Sequence, residues 1–147
     1  MTIRGLATAV AMITASTFTA WALYITLVEH PARLDSGAAA GRAQFRPSYR
    51  RAAPWQASFA VLAFVAGLLA AALTARWEWL LGALALGSVV PLTLALIQPL
   101  NRRLLGADAL GDDEVLGLLR AWGRLHAVRA ALGGVGVLAF LLALRAR

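Results

Sequence analysis

The sequence contains no cysteine and no lysine, and only 14% of its 147 residues are charged. Without thiols, the chain can form neither disulfides nor thiolate metal sites, and thiol redox chemistry is excluded. The net charge is +7, and arginine supplies every basic group other than the two histidines. In a soluble protein this excess would suggest nucleic acid, but these arginines flank apolar segments, where they meet lipid phosphates. The composition therefore predicts a lipid bilayer as the partner and no nucleic acid.

Long apolar segments make up most of the chain, since 61% of the residues are hydrophobic against about 45–50% in a typical soluble domain. Four segments, at about residues 5–29, 55–75, 77–100 and 113–145, are each long enough to cross a bilayer. About 20 residues span the roughly 30 Å of hydrocarbon. We predict an all-α, multi-pass integral membrane protein, an antiparallel four-helix bundle in which residues 1–147 form a single transmembrane domain.

The segment between the first two spans, residues 32–54, is rich in arginine and contains Pro47 and Pro54. We predict a loop there, with a short interfacial helix from Ala38 to Gln44. Because Pro31 disfavours helical geometry at the residue before it, we expect the first helix to stop at about Glu29 or His30. Adjacent side chains at such a helix end can converge on one point.

Most of the polar residues that could form a site lie on one side of the bilayer, as the number of membrane crossings shows. With four spans, the ends of spans one and three and the starts of spans two and four share one face, which we call the site face. On the fourth helix, Trp122, His126 and Arg129 fall within a sector of about 60°. The candidate pocket residues on the site face are Glu29, His30, Tyr49, Trp55, Asn101, Trp122, His126 and Arg129. More arginines flank the spans on this face, which predicts a cytoplasmic orientation for it.

Taken in order, four short motifs resemble those of the anthrone oxygenase-like family of small four-helix membrane proteins. The motifs are Glu29-His30-Pro31-Ala32-Arg33; Tyr49-Arg50-Arg51-Ala52 with Trp55-Gln56; Pro91-Leu92-Thr93 through Pro99-Leu100-Asn101; and Trp122 to Arg129. The resemblance implies an integral membrane bundle, and some members of the family act as oxygenases on aromatic polyketide anthrones. It also implies that the histidine, tryptophan and arginine positions in these motifs are site residues.

The predicted function is therefore that of a membrane-embedded oxidoreductase or oxygenase acting on a small hydrophobic, anthrone-like substrate. Loss of a proton from the anthrone methylene gives a stabilised anion that reacts with oxygen directly, so a base and a nearby cation can suffice without a cofactor. His126 or His30 can serve as the base, and Arg129 can stabilise the oxyanion. Tyr49, Trp55 and Trp122 can stack on a flat polycycle, with Asn101 beside them.

A second chemical interpretation is a metal site. Two imidazoles and one carboxylate, from His30, His126 and Glu29, form a ligand set that holds Fe(II), and histidine-rich sites also bind copper or zinc. The cofactor is therefore either none or a single transition metal ion (Fe, Cu or Zn).

Two further interpretations stay open at this stage. In the first interpretation, the polar residues have a structural role, and Glu29 pairs with Arg33 or Arg129. The chain is then a non-catalytic binding or assembly subunit of a membrane complex. A transporter would require polar groups through the bilayer centre, where this sequence has only scattered hydroxyls. Small four-span chains often associate with copies of themselves, and Gly133, Gly136 and the alanine-rich faces of the second segment are candidate homo-oligomer interfaces.

Overall fold

The computed structural model describes residues 2–106 and 110–145, and this part of the chain is helical with no strand. Four helical runs, here numbered spans 1 to 4, are long and apolar enough to cross a membrane: Ile3–Asp35, Gly37–Thr74, Trp77–Leu105 and Asp112–Arg145. Span 1 comprises α1 (Ile3–Tyr24) and α2 (His30–Asp35), span 2 is α3 (Gly37–Thr74), span 3 comprises α4 (Trp77–Leu92) and α5 (Gln98–Leu105), and span 4 is α6 (Asp112–Arg145). The all-α, four-span prediction is confirmed. Part of the predicted connection between spans 3 and 4, residues 107–109, lies outside the described residues.

Spans 1 and 3 each contain a π-helical turn, Ile25–Glu29 and Thr93–Ile97, and each turn is followed by one residue and then a proline. The amide of His30 donates to the carbonyl of Ile25, five residues back. In a regular α-helix a proline ring collides with the carbonyl four residues earlier, and the wider turn relieves this crowding. The helix therefore continues through Pro31 to Asp35, and the prediction that it ends at Glu29 or His30 was wrong.

The predicted loop at residues 32–54 is also helical. After a turn at Gly37, which has a φ of 81°, α3 runs without interruption through Pro47 and Pro54. Both prolines lie on the exposed side of the helix, whereas Phe45 is buried against the other spans. The free energy gained by burying the Phe45 side of the helix offsets the helix-breaking cost of the two prolines. Local sequence patterns do not reveal this burial, because it depends on the other spans. With 38 residues, α3 is about 57 Å long and projects well beyond the hydrocarbon on the site face.

Two hydrophobic cores lie one above the other along the bundle. The membrane core is rich in alanine from spans 1 and 2 and contains Phe140 packed against Trp79, with ring centroids 4.8 Å apart. The site-face core is built around Phe45, Leu119 and Trp122. The space between these two cores contains the candidate site.

The glycines suggested as oligomer interfaces pack inside the bundle instead. Gly133 and Gly136 are buried, and a Cβ at Gly136 would lie 2.8 Å from the Leu86 side chain of span 3. Facing Gly136, a Cβ at Gly82 would lie 2.4 Å from the Phe140 ring and 2.9 Å from the Gly136 carbonyl oxygen. These glycines allow spans 3 and 4 to approach closely.

We expect Gly82→Ala to lower the free energy of unfolding by about 1–3 kcal/mol, the usual cost of overpacking. Gly134→Ala is the matched control, because a Cβ there has no atom within 4 Å. It should leave stability unchanged or raise it by up to about 1 kcal/mol, as expected for a glycine replaced within a helix. Unfolding in detergent micelles, followed by tryptophan fluorescence, measures both variants, and equal stability would contradict the close approach.

Candidate functional site

A cavity of about 230 Å³ lies between the two cores and is lined by residues from all four spans. Its apolar part is formed largely by alanines of span 2 and aliphatic residues of span 3. Its polar lining residues are Glu29, Arg33, Ser48, Tyr49, Gln56, Thr93, Gln98, Asn101, Trp122, His126 and Arg129. A mostly apolar enclosure with a few convergent polar groups is typical of a small-molecule site.

Because of the two π turns, residues at equivalent positions of spans 1 and 3 line this cavity. Counting from the start of each turn, Ile25 matches Thr93, and Glu29 matches Ile97. Arg33 and Asn101 each lie two residues after the following proline. All of these residues line the cavity, so the combination of π turn and proline aims equivalent positions of both spans at one space. π-Helical turns are frequent at functional sites.

A cluster around the buried Arg33 lies at the end of the cavity nearest the site face. Arg33 Nη2 donates to Glu29 Oε1 at 2.6 Å, and its Nε donates to Gln44. The same carboxylate oxygen accepts from Ser48 Oγ at 2.6 Å and from Gln44 Nε2 at 2.9 Å. We call these four residues, Glu29, Arg33, Gln44 and Ser48, the Arg33 cluster. Spans 1 and 2 are thus tied together by charge-assisted hydrogen bonds.

His30 is held in a different position from its neighbour Glu29 and does not line the cavity. Arg33 Nη1 lies 3.3 Å from His30 Nδ1, and because a guanidinium can only donate, this nitrogen is the acceptor. The imidazole also hydrogen-bonds to the backbone of Leu119 in span 4. A Cβ at Gly123 would lie 2.2 Å from His30 Nε2, so this glycine makes room for the ring. With both nitrogens engaged, His30 acts in this geometry as a connection between spans 1 and 4.

Trp122 forms the upper wall of the cavity and fixes the rings around it. Its Nε1 donates to Asn101 Oδ1 at 2.8 Å, which ties span 4 to span 3. The indole stacks on His126 with ring centroids 4.7 Å apart, and it contacts His30 at 5.3 Å and Phe45 at 5.4 Å. This packing leaves the indole little freedom to move.

His126 is buried, lines the cavity and lies 3.1 Å, through Nδ1, from Thr26 Oγ1 in the π turn of span 1. When Nδ1–H donates to that hydroxyl, Nε2 carries the lone pair of the neutral imidazole. The hydrogen bond and the stacked Trp122 ring therefore orient His126 at the cavity wall. Such a geometry suits an oriented base.

One turn further along the helix, Arg129 contributes a cation to the same cavity. Arg129 Nη2 donates to Gln56 Oε1 at 3.2 Å, and the guanidinium lies over the Phe18 ring at 5.6 Å. Arg129 Nε and Gln56 Nε2 are buried without a hydrogen-bond partner. Among residues 2–106 and 110–145, no carboxylate pairs with Arg129. Two neighbouring groups in the cavity wall thus hold unused donors, an arrangement that suits an acceptor oxygen of a ligand.

Six of the predicted site residues share the cavity lining, namely Glu29, Tyr49, Asn101, Trp122, His126 and Arg129. Trp55 does not; it is 61% exposed and lies in a shallow outer groove with Trp21 and Arg51. Its neighbour Gln56 is 3% exposed and faces inward. Adjacent residues on a helix diverge by about 100°, so Trp55 can point away from the cavity while Gln56 faces it.

Sequence reasoning missed Gln56, Arg33 and Thr26 as site residues, although the first two lie within the quoted motifs. The available signal for Gln56 was its position at the start of an otherwise uniformly apolar segment. A polar residue inside a membrane span is a candidate functional residue by default. No local pattern distinguishes Thr26 from the other hydroxyl residues of span 1.

The predicted metal set of His30, His126 and Glu29 is not brought together. The Glu29 carboxylate is engaged by the Arg33 cluster, and both nitrogens of His30 already have partners. Within the described part of the chain, no group of three or more His, Asp or Glu side chains could hold a metal ion. In this arrangement the three residues do not form a common ligand set.

Comparison with known proteins gives one match. A family model described as anthrone oxygenase matches residues 45–139, well over half of the chain. The matched region includes Tyr49, Gln56, Asn101, His126 and Arg129. No curated protein and no solved structure matches the chain.

We expect Glu29→Gln to destabilise the protein by about 3 kcal/mol or more, because it leaves the buried Arg33 cation without its counterion. The side chains of this pair are 18% and 2% exposed, whereas those of Glu114 and Arg103 are 45% and 57% exposed. Glu114→Gln is therefore the matched control and should cost less than about 1 kcal/mol. Denaturant unfolding in micelles measures both changes. Similar small losses would show that the Arg33 cluster does not secure spans 1 and 2.

Proposed function

The chain belongs to the anthrone oxygenase family, and we propose that it is a membrane-embedded oxygenase that converts the methylene of a flat, anthrone-like molecule to a carbonyl. The observation that carries this proposal is that His126, Arg129 and Gln56 line one mostly apolar cavity. A proton acceptor and unpaired donors in a dry enclosure are what this reaction needs.

In the proposed complex, the polycycle occupies the apolar part of the cavity, with alanines of span 2 on one side and the lining rings of Tyr49 and Trp122 in contact with it. Tyr49 is itself stacked on Phe45, with ring centroids 5.7 Å apart, so its ring is already positioned. The substrate carbonyl accepts hydrogen bonds from Arg129 and Gln56. Aromatic contacts of this kind contribute about 0.5–1.5 kcal/mol each beyond area burial.

The reaction begins when His126 removes a proton from the methylene carbon, and the electron pair of the C–H bond delocalises onto the carbonyl oxygen. Arg129 and Gln56 stabilise that developing negative charge. One electron passes from the enolate to O₂, and the two radicals combine to form a C–O bond. The resulting peroxide anion takes the proton from His126 and becomes a hydroperoxide.

The second methylene hydrogen then leaves as a proton, and its electron pair forms the new C=O bond as the O–O bond breaks. The departing hydroxide and that proton make water. One oxygen atom of O₂ thus ends in the carbonyl and the other in water, so O₂ accepts all four electrons that the carbon loses. The chain's contribution is to move the proton and to hold the enolate.

We expect His126→Gln to lower the rate of oxygen uptake with anthrone by about 100-fold or more, the usual contribution of a positioned general base. The full chain in lipid nanodiscs would be assayed with an oxygen electrode, with empty nanodiscs providing the rate of spontaneous oxidation. A His126→Gln protein that keeps the wild-type rate would exclude His126 as the base. Wild-type uptake no faster than empty nanodiscs, together with a co-purifying partner chain, would favour a non-catalytic subunit.

We expect Arg129→Gln to lower kcat by about 100-fold or more, as loss of an oxyanion donor typically does. Arg124→Gln is the matched control, because Arg124 lies on the same helix with its side chain exposed. It should keep the wild-type kcat. Equal rates in the two variants would remove Arg129 from the proposed mechanism.

A further inference from the structure

We propose that the substrate reaches the cavity sideways from the bilayer, through a gap between spans 2 and 3. We call this gap the lateral portal and define it by Ala53, Ala57, Val90 and Leu94. The proposal rests on the proposed function, because it identifies the substrate as a flat apolar molecule dissolved in the lipid phase. It further identifies which edge of that molecule enters first.

The portal residues belong to the cavity lining and to the outer surface of the bundle at once. All four line the cavity. Leu94 is 63% exposed, Val90 is 37% exposed and Ala57 is exposed as well. A side chain that borders an internal space while being open to the outside marks an opening of that space.

The packing of spans 2 and 3 explains why the opening lies at this height. Lower in the membrane, α4 packs closely along α3, and a Cβ at Gly87 would lie 2.7 Å from the Phe64 ring. The π turn that follows, Thr93–Ile97, makes no comparable set of contacts with α3. Small side chains at Ala53 and Ala57 leave the facing side of span 2 open there.

The depth of the portal places it against lipid chains. Leu94 follows Trp77 by 17 residues, or about 25 Å along a helix that rises 1.5 Å per residue. Trp77 is exposed at the start of span 3, where an aromatic residue is typical of the opposite membrane interface. Since the hydrocarbon is about 30 Å thick, Leu94 lies within it, close below the headgroups of the site face.

The Arg33 cluster borders the cavity on the side that faces the outer groove of Trp21 and Trp55. Glu29 and Ser48, joined at 2.6 Å, line both spaces and form the wall that a route from the groove would have to open. Opening this wall would break charge-assisted hydrogen bonds to a buried arginine. The lipid side offers only alanine, valine and leucine, which an apolar ring can pass without losing any hydrogen bond.

The arrangement of span 2 also sets the direction in which the molecule enters. Ala53 and Ala57, and likewise Gln56 and Ala60, lie one helical turn apart on one side of the helix, and all four line the cavity. A ring that passes Ala57 therefore meets Gln56 and then Arg129. The oxygen-bearing edge enters first, and conjugates carrying a sugar or sulfate, which stay in water, are not substrates.

The test compares paired variants in nanodiscs, with anthraquinone as a flat apolar probe that has no reactive methylene. Ala57→Phe fills the portal, and Ala72→Phe places the same ring on another exposed position of span 2. Leu94→Phe and Leu138→Phe form a second pair, since both leucines are 63% exposed. Stopped-flow quenching of tryptophan fluorescence gives the association rate. We expect it to fall by about 10-fold or more in the portal variants, as for binding that needs a rearrangement, and to stay unchanged in the controls.

Each outcome distinguishes the portal from the reaction. Slower association in either portal variant than in its control supports the portal, whether or not anthrone is oxidised. Equal association rates within both pairs overturn the portal and leave the oxygenase proposal standing. If the portal variants bind slowly but the wild-type protein consumes no oxygen with anthrone, the reaction alone is wrong. A wild-type protein that does not bind anthraquinone overturns both.

Discussion

The buried guanidinium of Arg33 imposes the constraint on which the upper half of the bundle depends. A cation withdrawn from water needs a counterion and hydrogen-bond acceptors, and Glu29, Gln44 and His30 provide them. Its flat faces pack near the rings of Phe45 and Trp122, with cation–ring distances of 5.3 and 5.5 Å. These contacts connect spans 1, 2 and 4 above the membrane core.

The charges of the cavity differ between its two ends. At the upper end, Glu29 and Arg33 neutralise each other, so the carboxylate is occupied and contributes little field to the cavity. At the lower end, buried nitrogens of Arg129 and Gln56 have no hydrogen-bond partner, and no carboxylate among the described residues pairs with Arg129. Negative charge that develops on a ligand is therefore favoured at the lower end, next to His126. This polarity supports the proposed removal of a proton from carbon, in which negative charge develops on the carbonyl oxygen.

A site residue could be predicted from the sequence where helical geometry alone determines the direction of its side chain. The stripe of Trp122, His126 and Arg129 follows from helical periodicity, and all three side chains line one cavity in the structure. The pair Glu29 and His30 looked equally promising, yet only Glu29 borders the cavity, because Arg33 and Leu119 hold His30 against span 4. Likewise, no local pattern decides between Trp55 and Gln56, since the neighbouring spans determine which face of span 2 is buried.

The sequence by itself determined the four apolar spans, their antiparallel order and the common face of the polar motifs. The length of each apolar segment and the number of membrane crossings can be read from the sequence without knowing which residues are in contact. Only the tertiary structure decided that residues 30–35 and 37–54 are helical, with a turn at Ser36 between them. There, burial of Phe45 and the Arg33 cluster outweighs the cost of Pro47 and Pro54, and a wide π turn accommodates the ring of Pro31. That choice rests on contacts between residues distant in the chain, which is why no local pattern could reveal it.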